Sequence, residues 1–109
     1  MDVDSLLHST LKGLGVPVER LKYGGRVASY ITYQLAAERD DFFADDEEGA
    51  TEYTYQVHIF SKKDYFPLVK ALKKALKAAG FYGVQIGAEV FERDTGYYHI
   101  PVEIKFMEV

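Results

Sequence analysis

Asp64-Tyr65-Phe66-Pro67-Leu68-Val69-Lys70-Ala71-Leu72-Lys73-Lys74-Ala75-Leu76-Lys77-Ala78-Ala79-Gly80 reads as one amphipathic helix. Leu68, Val69, Leu72, Leu76 and Ala79 recur at spacings of three and four, which gathers them on a single buried face. Lys70, Lys73, Lys74 and Lys77 fall on the opposite face. Asp64 is placed to cap the N-terminus, Pro67 fits the first turn, and Gly80 is placed to end the helix.

The flanks of this helix alternate with period two. Before it, Tyr53, Tyr55, Val57 and Ile59 share one face of a predicted strand over Tyr53–Ser61. After it, Val84, Ile86, Ala88 and Val90 alternate with polar or small residues, and Asp94-Thr95-Gly96 reverses the chain. Tyr98, Ile100, Val102, Ile104 and Phe106 then form the core face of a last strand, with His99, Glu103 and Lys105 outward. These final two strands are expected to pair as a hairpin.

Upstream, Asp4 or Ser5 is placed to cap a first helix reaching about Gly13, with Leu6, Leu7, Leu11 and Leu14 on its apolar side. Val16–Tyr23 reads as a short strand, with Pro17 marking an edge position or the first residues of that strand. From Ala28 to Ala37 Ile31, Tyr33 and Leu35 alternate with Tyr30, Thr32 and Gln34, again a strand. The stretch Glu38–Glu48 then sets seven acids against one Arg. Its charge predicts a long acidic loop over residues 38–50. The order α-β-β-β-α-β-β predicts an α+β two-layer sandwich: a mixed, mostly antiparallel sheet with both helices on one face. Its 109 residues are expected to form a single domain.

Composition narrows the function. Nine Tyr and seven Phe place the chain far from the disordered class. With no cysteine there is no disulfide and no thiolate chemistry. A net charge of −4 argues against duplex-DNA binding, which draws its affinity from phosphate neutralisation. No apolar run is long enough to span a bilayer, and the acidic start Met1–Ser5 lacks the basic region of a signal peptide, so an intracellular chain without a membrane partner is expected.

No motif carries chemistry. His8, His58 and His99 show no metal-ligand spacing, and the acidic stretch lacks the frame of a calcium loop. Ser5, Ser9, Ser29 and Ser61 lie in no nucleophile-elbow setting, and there is no phosphate-binding loop. No enzyme, metal or cofactor is therefore expected. His58 and His99 fall on polar faces of predicted strands, where ordinary sheet histidines account for them; with a nearby carboxylate they would be the one enzymatic alternative. A solvated helix face accounts for the four lysines as well as a binding face does.

The layout resembles that of small tail-terminator, or tail-completion, proteins of long-tailed phages and prophages. The strings that carry the resemblance are Tyr30–Tyr33, Ala44–Glu48, Tyr55–Lys62, Ala79-Gly80-Phe81 and Asp94–His99. The resemblance implies a structural protein made in the host cytoplasm and carried in the virion tail. It would form a homo-oligomeric ring of six subunits, cap the tail tube protein and offer a surface to the head-tail connector. Two patches of opposite sign suit such a ring: Asp40, Asp41, Phe42, Phe43, Asp45, Asp46, Glu47 and Glu48 on one side, and Lys70, Lys73, Lys74 and Lys77 on the other. The alternative from a different class is a small binding module that presents Tyr23, Tyr30, Tyr53, Tyr97 and Tyr98 to a peptide or ligand.

Overall fold

The quoted helix forms as α2, Phe66–Ala78, and its apolar positions land where the periodicity puts them. Leu72 and Leu76 are fully buried, and Leu68, Val69 and Ala79 pack against the same core. Burying each leucine contributes roughly 2–3 kcal/mol before entropy is counted. Asp64 Oδ1 accepts from the Phe66 N–H at 3.1 Å, so it serves the first turn although the helix starts two residues later. At the other end the Phe81 N–H donates to Leu76 O and the Gly80 N–H to Lys77 O. Gly80 sits at φ +100°, and this is a Schellman stop that only glycine adopts without strain.

The computed structural model describes residues 2–41 and 49–109. Its elements run α1 (Val3–Lys12), β1 (Val18–Arg20), β2 (Ser29–Asp41), β3 (Ala50–Ser61), α2, β4 (Tyr82–Ile86), β5 (Val90–Glu92) and β6 (Tyr97–Glu108). The fold is α+β, with two helices on one face of a six-stranded sheet ordered β1-β2-β3-β6-β4, and β5 pairing with β6 beside β4. Every pairing is antiparallel except β1 with β2. Leu7 and Leu11 of α1 and Leu72 and Leu76 of α2 close over Ile31, Val57, Ile59, Ile100, Val102 and Ile104.

The boundaries differ from expectation in several places, and the first strand, expected over Val16–Tyr23, is only Val18–Arg20. Asp2, not Asp4 or Ser5, caps α1, accepting from the Ser5 N–H at 2.7 Å. The strand expected over Val84–Val90 is two pieces, β4 and β5, joined at Gly87-Ala88-Glu89. There the Gly87 N–H still donates to Pro101 O at 2.7 Å, and a Cβ on Gly87 would lie 2.9 Å from Pro101 Cγ. The edge therefore stays attached through a glycine that allows the close approach.

One difference is larger than these. Glu38–Asp41, expected to open the acidic loop, continue β2 and pair with Tyr53, Glu52, Thr51 and Ala50. A strand ladder is made by backbone groups, so a charged run pairs as readily as an apolar one where both faces meet water. The resulting arm draws the molecule out to 52 Å against 23 Å in each other direction.

Candidate functional site

The acidic arm and the lysine helix are the two surfaces the sequence singles out. Along the arm a register shift lies between Leu35 and Ala37. A bulge reverses the side to which later residues point. Leu35 is therefore opposite Tyr55, Glu38 opposite Tyr53 and Asp40 opposite Thr51, three pairs on the helix-bearing side of the sheet. Thr51 Oγ1 donates to Asp40 Oδ1 at 3.0 Å. On the other side Arg39 lies 3.9 Å from Glu52, an exposed contact of little energetic weight. Phe42, Phe43, Asp45, Asp46, Glu47 and Glu48 lie outside the described residues.

Beside the arm's base is a hollow of about 340 Å³. Val3, Leu35, Tyr53 and Tyr55 supply its apolar lining, and Asp2, Asp4, Arg20 and Glu38 line it with charge. The Ser5 amide holds the Asp2 carboxyl below its ordinary range, so Asp2 keeps its charge. Arg20 is spent on Asp4 at 3.2 Å.

Lys70, Lys73, Lys74 and Lys77 are exposed on α2, and among the described residues none takes part in an ion pair. The helix contains no acid. Among the described residues, then, one chain does not bring its own lysines to its own arm. The residue that periodicity did not single out is Phe66, 71% exposed at the first position of α2. Its signal was legible: it falls four residues before Lys70, on the lysine face rather than the leucine face.

The opposite face of the sheet has its own aromatic layer. Tyr30 stacks on Phe60 at 4.6 Å, Phe60 on His99 at 4.4 Å, and Tyr23 and Tyr97 close around Tyr30. His58 Nδ1 and His99 Nε2 share a hydrogen bond of 2.8 Å, so one ring donates and the other accepts. Burial, then the neighbouring His99, pushes His58 below its ordinary pKa. Burial also lowers His99, with Glu92 pulling the other way. Glu92 Oε2 reaches only His99 Nδ1, at 3.8 Å. The three groups form a line and do not converge on one point. Among the described residues no cluster of three or more His, Asp and Glu is placed to hold a metal.

The five tyrosines weighed as a ligand surface do not form one. Tyr23, Tyr30 and Tyr97 pack on each other and on Phe60, away from the helices. Tyr53 belongs to the helix-side core, and Tyr98 meets Tyr65 and Phe91 at the far end.

No family model matches the chain, and no curated protein matches it. Among solved structures it is similar to a chain in the virion of a native gene transfer agent particle. The TM-score is 0.57 at 12% identity, over 97% of this chain and 93% of that one. At that identity the likeness establishes the shared fold alone.

Proposed function

We propose that the chain is a structural protein of a phage-like particle, and that it acts there as a tail terminator. The observation that carries this reading is the fold likeness, over nearly the whole of both chains, to a component of a gene transfer agent virion. The element order, which resembles that of tail-completion proteins, agrees with it. In this reading copies of the chain close into a ring, of six as the resemblance to tail-completion proteins implies, that seats on the last ring of tail tube protein. The ring stops tube growth and presents its other side to the head-tail connector.

The surfaces suit that task. A closed ring needs heterologous contacts, one patch meeting a different patch on the next copy. The acidic arm and the acid-free lysine helix are two such patches. The protein then works by contact, without turnover of a small molecule, and surplus acid facing a lumen would let DNA pass without sticking.

The test is co-sedimentation with tail tubes assembled from the tube protein of the same phage-like particle. The reading predicts saturation at one ring per tube end, independent of tube length. Binding along the whole tube, or none, would contradict it.

A further inference from the structure

We infer that α2 of one copy lies along the arm of a second copy, with Phe66 seated in the hollow at the arm's base. The inference rests on the assembly reading above and names the contact within it. Phe66 exposes 71% of its surface, and Leu35, which lines the hollow, exposes 39%. The Phe66 ring lies 5.0 Å from that of Tyr65, and among the described residues its outer side and that of Leu35 stay uncovered. Aromatic anchors that fill pockets dominate protein interfaces.

The charges beyond these anchors match in sign and in spacing. Phe66, Lys70, Lys73 and Lys77 lie within a stripe about 60° wide on α2, since each residue turns about 100°. Lys70 stands ~6 Å and Lys73 ~10 Å along the axis from Phe66, at ~1.5 Å per residue. On the arm, Leu35, Glu38 and Asp40 are opposite Tyr55, Tyr53 and Thr51, so the bulged residue adds no length, and Glu38 stands ~7 Å and Asp40 ~13 Å from Leu35, at ~3.3 Å per residue of the partner strand. The bulge after Leu35 is what puts these three on one side of the ribbon. With Phe66 over Leu35, Lys70 therefore meets Glu38, and the long Lys73 side chain reaches Asp40, ~3 Å further along. The helix and the arm are different surfaces of the same chain, so the contact repeats from copy to copy and does not stop at a pair.

The natural absence of cysteine allows a clean test. A chain carrying both Glu38→Cys and Lys70→Cys, treated at millimolar concentration with a short bis-maleimide, should give a covalent ladder of dimers and higher species. Glu38→Cys with Gln85→Cys should not, because Gln85 lies on the other face, opposite Glu103. Adding Phe66→Ala should weaken association roughly thirtyfold, as truncating an aromatic hot spot does. It should leave the melting temperature unchanged, since the side chain is solvent-exposed. Absence of a ladder, an equal ladder from the Gln85 control, or no effect of Phe66→Ala would each overturn the contact. If the ladder fails while the protein still binds tube ends, this contact falls and the terminator reading stands. If the ladder forms and tubes are never bound, the reverse holds.

Discussion

Leu76→Ala tests whether α2 holds the two layers together. Leu76 is fully buried and provides the carbonyl that accepts from Phe81 at the helix stop. The substitution removes three carbons, worth ~2.4 kcal/mol at ~0.8 kcal/mol per buried methylene. A residual cavity of ~50 Å³ adds ~1.2 kcal/mol at ~24 cal/mol per Å³. The sum of ~3.6 kcal/mol is a large share of the roughly 5–15 kcal/mol typical of whole domains. It corresponds to a fall in melting temperature of roughly 15 °C at about 4 °C per kcal/mol. Urea unfolding followed by far-ultraviolet circular dichroism gives the number directly. Lys77→Ala, next in sequence and exposed, should stay within ~0.5 kcal/mol of wild type. A Leu76→Ala loss below ~1 kcal/mol, or one matched by Lys77→Ala, would refute the packing assigned to this helix.

Three further outcomes follow from the structure. His58 and His99 have pKa values lowered by burial, so the unfolded chain binds more protons as soon as pH falls below ~6.5. Their stabilising contribution is complete above that pH and declines as pH drops through the lowered values; His58→Gln with His99→Gln should flatten this part of a stability-versus-pH curve. Gly87→Ala places a methyl 2.9 Å from Pro101 Cγ and 3.3 Å from its carbonyl oxygen, and should cost ~1–3 kcal/mol in chemical denaturation. Leu21 holds φ +71° while 60% exposed, so Leu21→Gly should raise stability by about 0.5 kcal/mol in the same assay.

Most of the layered fold was legible because one-sided burial writes a period into the residues. Leu72 and Leu76, Val57 and Ile59, Ile100 and Val102 all lie in the core their spacing predicted. The arm was not legible, because Glu38–Asp41 bury no apolar face and their pairing is backbone chemistry that side-chain patterns do not record. The break between β4 and β5 escaped for a similar reason: Gly87 is demanded by Pro101 across the sheet, a partner fourteen positions away that only register reveals. The histidine pair was half visible. Alternation placed His58 and His99 on the polar face, but their 2.8 Å contact depends on a diagonal of the β3–β6 ladder, where Phe60 is opposite His99 and Pro101 opposite His58. Of the proposed interface, the charges were plain in the sequence, while the shared side of Leu35, Glu38 and Asp40 required the bulge.

As a tail terminator, the chain would be a structural part of a phage-like particle located at the end of its tail tube. Gold labelling of a tagged chain in negative-stain images of purified particles measures that location. The predicted result is a single cluster of label on each particle, at the junction of tube and head. Label spread along the tube, label at the distal tip, or particles assembled without the chain would contradict it.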